Sequence, residues 1–153
     1  MRELFRREAL AVDTQPRSWR EAIRVAGALL LDAGSIEAGY IDAMIDAVET
    51  LGPYMVVAPH FAIAHAAAGA HVVKDDMALV VFREPVLFST PNDPVHLMIG
   101  MCALRPESHL EQFRGLAELL TDEDVWQKFA ACKTVDQLYR LANGKSGGKE
   151  GRA

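Results

Sequence analysis

Two long apolar runs constrain the fold of this chain most strongly. Residues 77–82 and 95–102 carry almost no charged side chains. A strand with one solvated face alternates apolar and polar residues, whereas near-continuous apolar runs are typical of strands covered on both faces. Turn-forming residues dominate positions 88–94 between the two runs and predict an exposed loop. We therefore expect a sheet with helices on both of its sides.

Helical patterns precede these strands. Ser18 and Glu21 form a capping-box pattern that opens a helix to about Asp32, where the following glycine ends it. A second helix is predicted after Ser35 and ends at Gly52, next to a proline. A short buried strand is predicted over residues 55–58.

The last third of the chain is predicted to be helical. Ser108 and Thr134 each stand three positions before Glu or Gln, which predicts two capped helices, and a short helix is expected after Thr121. The order helix, helix, three strands, then helices predicts an α/β fold with a small sheet between helices. We expect one domain over residues 1–143, followed by a polar tail, residues 144–153, that has nothing to bury and is predicted to be disordered.

Composition and charge exclude several classes of function. A net charge of −5, without a stripe of basic residues, argues against nucleic-acid binding. The longest apolar run, around residues 26–31, is too short to cross a membrane, and no secretory signal follows the first basic residues. Cys102 and Cys132 have no CxxC partner, so two reduced thiols in a cytoplasmic protein are expected.

The five histidines divide into two groups. His60, His65 and His96 lie at the ends of predicted strands, where open α/β sheets place their sites. His71 lies in a loop-like segment and His109 in the first turn of a helix, and both are expected to be ordinary solvated residues. The first group is therefore the predicted functional site.

Several chemistries are open to three histidines. The spacing matches no zinc motif, although a three-histidine metal site assembled in space stays open. The GxSxG motif of serine hydrolases and glycine-rich phosphate loops are both absent. An imidazole nitrogen can accept a phosphoryl group if a second donor steadies its oxygens and an apolar rim limits water. His65 as acceptor, His96 as donor, and Phe61 and Ile63 as the rim would meet these needs.

Three segments carry a family resemblance. The sequence GPYMVVAP at residues 52–59 is followed by AIAHA at residues 62–66, and NDPVHL occupies residues 92–97. With the flanking helices, these segments resemble the type-2 enzyme IIA domains of the bacterial phosphoenolpyruvate:sugar phosphotransferase system. Within this mannitol/fructose-like set the ascorbate-type branch is the most similar, and the resemblance extends over about residues 18–141.

The resemblance implies a fold, a reaction and partners. The implied fold is a mixed sheet between helices. His65 would accept phosphate from phospho-HPr and pass it to a cysteine of a cognate enzyme IIB, possibly for ascorbate-type sugar uptake. His96 would stabilise the phosphoryl group and His60 could be an accessory donor. No metal or organic cofactor is implied, and a homodimer is left open.

The chain departs from the family pattern in two places. Ala64 stands where the family usually has proline, and residues 66–68 are alanines where the ascorbate branch tends to have an arginine after the histidine. An arginine there would be a phosphate or partner contact. The alternatives are therefore a regulatory IIA-like protein phosphorylated at His65 that acts by protein binding, or a domain that kept the fold without the activity.

Overall fold

The computed structural model describes the backbone of residues 3–121 and 124–152 and the side chains of residues 3–117 and 124–143. A short 3-10 helix, Arg7–Ala9, precedes the first strand. The strands are β1 Leu10–Thr14, β2 Val56–Ala58, β3 Phe61–Ala64, β4 Asp76–Val86 and β5 Val95–Cys102. The helices are α1 Trp19–Asp32, α2 Ala38–Leu51, α3 Pro106–Thr121, α4 Val125–Ala130 and α5 Val135–Arg152.

The five strands form one mixed sheet in the order β1-β4-β5-β3-β2. β1 runs parallel to β4 and β3 runs parallel to β5, while the β4–β5 and β2–β3 pairs are antiparallel. The register of the central parallel pair runs from Phe61 opposite Leu97 to Ala64 opposite Gly100. β3 and β5 therefore end at the same edge of the sheet.

Alternate residues of the central strands face two different helical layers. Ala62, Ala64 and Met98 belong to the core shared with α1 and α2. Phe61 and Ile63 belong to the core shared with α3, α4 and α5. This division explains why β4 and β5 appear as continuous apolar runs, and it confirms the predicted α/β fold with a mixed sheet between helices.

Most predicted helix boundaries agree with the structure. The Ser18 hydroxyl accepts a hydrogen bond from the Glu21 amide at the start of α1. Thr134 and Gln137 form a reciprocal capping box at the start of α5. The predicted start of α3 at Ser108 is wrong, because the helix begins two residues earlier, at Pro106. Proline suits the first helical position, where its missing N–H would have no partner in the helix.

Two strands were missed by the sequence analysis. β1 has only five residues and a partly exposed pattern, so its apolar content is low. β3 occupies the four residues between His60 and His65, a segment that the prediction treated as the end of a preceding strand. The side chains of the polar tail, residues 144–153, lie outside the described part of the chain, so its predicted disorder stays a prediction. Among the described residues, no helix is both long enough and apolar enough to cross a membrane.

Cys102 behaves as a small buried core residue, as expected. It lies in β5 with 0% exposure and forms no disulfide. Burial, with the negative charge of Asp76 nearby, raises the pKa of its thiol to about 12. This cysteine is therefore a protonated packing residue at neutral pH.

The Tyr40 hydroxyl links α2 to two strand ends. This side chain is fully buried, accepts a hydrogen bond from the Ala66 amide at 3.0 Å and donates one to the Met101 carbonyl at 2.7 Å. Ala66 follows the end of β3, and Met101 lies near the end of β5. One phenol thus holds the chain immediately after His65 against the neighbouring strand.

We expect Tyr40→Phe to lower the free energy of unfolding by about 1–3 kcal/mol, since it leaves the buried Ala66 amide without a partner. Urea denaturation monitored by circular dichroism measures the change. Tyr139→Phe is the matched control, because it removes a hydroxyl whose bond to Glu3 is exposed. Equal stabilities for the Tyr40→Phe variant and the wild type would contradict this structural role.

Candidate functional site

The parallel pairing of β3 and β5 determines which side chains lie together at the carboxyl ends of these strands. His65 directly follows the last residue of β3. β5 leads at the same sheet edge into α3, whose first turn begins at Pro106 and carries His109. The two imidazole rings meet edge to face, with centroids 5.8 Å apart.

The tautomer of His65 follows from its hydrogen bond. Its Nδ1 lies 2.8 Å from the carbonyl oxygen of Ile63. A carbonyl can only accept, so Nδ1 carries the ring proton and Nε2 holds the lone pair. Nε2 is therefore the ring atom that could act as a nucleophile.

Aromatic side chains enclose the His65 ring. Tyr54 and Phe113 each contact it edge to face, at centroid distances of 5.1 and 5.6 Å. The Tyr54 hydroxyl also donates a 2.6 Å hydrogen bond to the His65 carbonyl. These contacts hold both the backbone and the ring of His65 in one position.

A cavity of about 600 Å³ opens beside the paired rings. Its lining consists mostly of small and apolar side chains from α2 and the segment after β3: Ala43, Asp46, Ala47, Thr50, Leu51, Tyr54, His65, Ala66, Ala67 and His109. Within the described residues this lining includes no lysine or arginine. Among these described lining residues, His65 and His109 are the side chains that can carry a positive charge.

Burial favours the neutral form of His65. Desolvation is the main cause that lowers the pKa of its imidazole below the usual 6.5. The hydrogen bond to Ile63 opposes this shift, and the neighbouring His109 adds to it. At neutral pH the unprotonated imidazole of His65 is thus the dominant form.

His109 belongs to the site, although the sequence analysis expected a solvated residue there. Its Nε2 lies 3.0 Å from the Ala66 carbonyl and its Nδ1 lies 3.1 Å from Oε1 of Gln112. A histidine in the first turn of the helix that follows a central strand is a usable signal. It was missed because the partner strand β3 was not recognised.

His60 and His96 lie away from His65. The His96 amide donates to the His60 carbonyl at 2.9 Å, at the beginning of both parallel strands. The four residues of β3 separate His60 from His65 and span about 13 Å at the usual strand rise. The structure therefore does not bring His96 or His60 to His65, contrary to the predicted site, and it does not assemble a three-histidine metal site.

His60 and His96 instead form a ring cluster with Trp126 of α4. The Trp126 ring lies 4.0 Å from the His60 ring and 4.6 Å from the His96 ring, measured between centroids. Desolvation and the neighbouring His60 lower the pKa of His96. Among the described residues, no group of three or more His, Cys, Asp or Glu side chains could hold a metal ion.

The lowered pKa values of His65 and His96 predict an acid-sensitive fold. A histidine with a depressed pKa in the folded state binds fewer protons than in the unfolded chain, so stability is present above pH 6.5 and is lost as the pH falls below it. We expect the free energy of unfolding to decrease between pH 6.5 and pH 5. Urea denaturation across this range measures it, and His96→Gln should flatten the dependence. An unchanged slope in that variant would contradict the contribution of His96.

Comparisons with known proteins agree with this architecture. Residues 3–144 match the family described as "Phosphoenolpyruvate-dependent sugar phosphotransferase system, EIIA 2". The chain is 31% identical over 140 residues to the ascorbate-specific PTS system EIIA component of Escherichia coli K12, covering 90% of this chain and 91% of that protein. It is 30% identical over 136 residues to the mannitol-specific cryptic phosphotransferase enzyme IIA component of the same organism, covering 89% and 92%.

Solved structures show the same fold. The solution structure of the mannitol-specific cryptic enzyme IIA from Escherichia coli has a TM-score of 0.83 at 29% identity, covering 92% of this chain and 98% of that chain. Enzyme IIA of the mannitol system, solved in complex with phosphorylated enzyme IIB from Escherichia coli, has a TM-score of 0.77 at 29% identity, covering 88% and 94%. Since the match extends over nearly the whole chain in both sequence and fold, this protein belongs to the EIIA 2 family of the phosphoenolpyruvate-dependent sugar phosphotransferase system.

Proposed function

We propose that this protein is a cytoplasmic histidine phosphocarrier that accepts a phosphoryl group on Nε2 of His65. The observation that carries the proposal is the 2.8 Å contact between His65 Nδ1 and the Ile63 carbonyl, which leaves Nε2 with its lone pair beside an open cavity. Family membership supports a role in sugar phosphotransfer.

In the proposed transfer, each N–P bond that forms on His65 is matched by a bond that breaks. The neutral Nε2 attacks the phosphorus of the phosphohistidine of HPr, so that the donor N–P bond breaks as the new N–P bond forms. Nδ1 keeps its proton, and the positive charge that develops on the ring is stabilised by the Ile63 carbonyl. A thiolate of enzyme IIB then attacks the phosphorus, the N–P bond breaks, and His65 returns to its neutral tautomer.

His109 is the donor best placed to stabilise the transferred group. Its ring contacts His65, and the cavity lining contains no described lysine or arginine that could neutralise phosphoryl oxygens. An N–H donor aimed at developing charge in a water-poor site contributes strongly to phosphoryl transfer. We therefore assign to His109 the role that the sequence analysis gave to His96.

The proposed partners are those that family membership implies. The donor is phospho-HPr and the acceptor is the cysteine of a cognate enzyme IIB. Tyr54, Phe113 and the alanines around the open cavity provide an apolar rim, and a partner docked on this rim would exclude water from the phosphorylated ring. We place an ascorbate-type system first, on the basis of the similarity to the ascorbate-specific relative.

The acceptor is tested by incubating the protein with phosphoenolpyruvate, enzyme I and HPr. We expect one acid-labile phosphate by intact mass in the wild type and none in His65→Ala, since the nucleophile is removed. His71→Ala is the matched control, because it removes an exposed histidine outside the site. A His65→Ala variant that still takes up phosphate would contradict the assignment.

The supporting histidine is tested by comparing His109→Ala with His96→Ala in rapid-quench transfer from phospho-HPr. We expect His109→Ala to slow the transfer about 10²–10³-fold, as for loss of one donor to a developing oxyanion. His96→Ala should transfer at the wild-type rate, because its ring lies at the other end of the sheet. The reverse ranking would restore the role of His96.

The sugar system is tested by supplying the phosphorylated protein with purified enzyme IIB of the ascorbate type or of the mannitol type. We expect faster phosphate transfer to the ascorbate-type protein, measured by the rate at which the phosphocysteine forms. Faster transfer to the mannitol-type protein would assign the chain to the other branch while leaving the phosphocarrier role intact.

A further inference from the structure

Gln112 occupies a position that the proposed chemistry has not yet used. It lies one turn after His109 in α3 and is half-buried at the edge of the sheet. Its amide nitrogen donates to the Cys102 carbonyl at 2.8 Å and to the Asp76 carbonyl at 3.3 Å. These two residues are paired across the ends of β4 and β5, so Gln112 is attached to the rigid end of the central ladder.

The two carbonyl contacts determine which way the Gln112 amide points. Carbonyl oxygens only accept, so the NH₂ group must face Cys102 and Asp76, and Oε1 must face the other way. Oε1 lies 3.1 Å from Nδ1 of His109. A flipped amide would place oxygen against two carbonyl oxygens and lose both donors.

The surroundings of His109 consequently present acceptors to both ring nitrogens. Nε2 faces the Ala66 carbonyl, and Nδ1 faces the oriented Gln112 oxygen. A neutral imidazole has one N–H and would leave one nitrogen lone pair against an oxygen, whereas the imidazolium donates to both. Hydrogen bonds to charged donors are also the stronger ones.

Other groups near His109 also act on its charge. His109 lies in the first turn of α3, where the positive end of the helix dipole disfavours a cation, so the two acceptors have to outweigh this field. His65 is mainly neutral, for the reasons given above, and Phe113 packs against the ring at 6.4 Å between centroids. Tyr54 and the exposed carboxylate of Asp46, on α2, line the same cavity. The Asp76 carboxylate is bound by Arg6 and Ser35, so it does not take the place of Gln112.

We propose that Gln112 is a positioning residue that holds His109 beside His65 as a doubly protonated imidazolium. This inference rests on the proposed phosphocarrier function. The bond from Nδ1 to Gln112 anchors the ring, while the Nε2–H group can turn from the Ala66 carbonyl to an oxygen of the phosphoryl group. Gln112 thereby supplies, through a proton on His109, the positive charge that no described lysine or arginine contributes to the cavity.

The first test observes protonation directly and needs no phosphotransfer. The full chain is labelled with ¹⁵N-histidine, and the ring nitrogens of His109 are assigned with the His109→Ala variant. We expect both nitrogens to be protonated at pH 7.5 in the wild type. In Gln112→Leu we expect only Nε2 to keep its proton, because Nδ1 has lost its acceptor. A singly protonated ring in the wild type would overturn the proposal.

The second test measures the rate of phosphate transfer from phospho-HPr between pH 6 and pH 9. We expect Gln112→Leu to be slower by about 10-fold or more at pH 8, the loss of one hydrogen bond to a charged group, and to recover toward pH 6 as the ring gains its proton from solvent. Gln112→Glu keeps an acceptor for Nδ1 but loses the NH₂ donors to the Cys102 and Asp76 carbonyls, so it should restore part of the rate. Gln127→Leu is the matched control for the chemical change, because Gln127 is exposed on α4.

The outcomes separate this inference from the proposed function. A wild type that takes no phosphate refutes the phosphocarrier function, while the nitrogen shifts still decide the protonation of His109. A wild type that is phosphorylated, together with a Gln112→Leu variant of unchanged rate and pH profile, overturns the role of Gln112 alone. If the Gln112→Leu and Gln112→Glu variants lose the same fraction of the transfer rate while the His109 nitrogen shifts stay unchanged, Gln112 only supports the fold. That result would also overturn the proposed positioning role.

Discussion

The parallel pairing of β3 with β5 is the constraint on which the rest of the structure depends. The register from Phe61–Leu97 to Ala64–Gly100 brings the carboxyl ends of both strands to one edge. His65 emerges there from β3, and β5 leads there into the helix that carries His109. A slip of one residue would turn His65 toward the opposite helical layer, so the chemistry of the site depends on this register.

Small residues on one face of the sheet make this arrangement compact. Ala62 and Ala64 face the α1–α2 layer, and a Cβ added at Gly100 would lie 3.2 Å from the Cβ of Ala26. The closeness of α1 leaves little room on that face for larger side chains. The His65 ring lies just past the end of β3, between Tyr54 and the α2 residues of the cavity on one side and the His109 and Phe113 rings of α3 on the other.

Under the proposed function, the surroundings of the two imidazoles favour different protonation states. His65 has one acceptor, the Ile63 carbonyl, and a buried ring, which together favour a neutral nucleophile. His109 faces two acceptors, which favours a cation. Two neighbouring histidines thus have different roles, one as nucleophile and one as cation. The positive charge of His109 depends on a bound proton, whereas the charge of an arginine is permanent.

The sequence by itself determined the helical layers and the two apolar central strands, and it predicted a site at His65. These features depend on local patterns: the capping pairs at Ser18 and Thr134, and runs of residues covered on both sides. Tertiary structure decided which histidine partners His65. β3 is too short to produce a periodic signal, and strand direction and register are set by contacts between residues distant in the sequence. Parallel pairing consequently placed His96 at the far end of the sheet and brought His109, from a later helix, to the site.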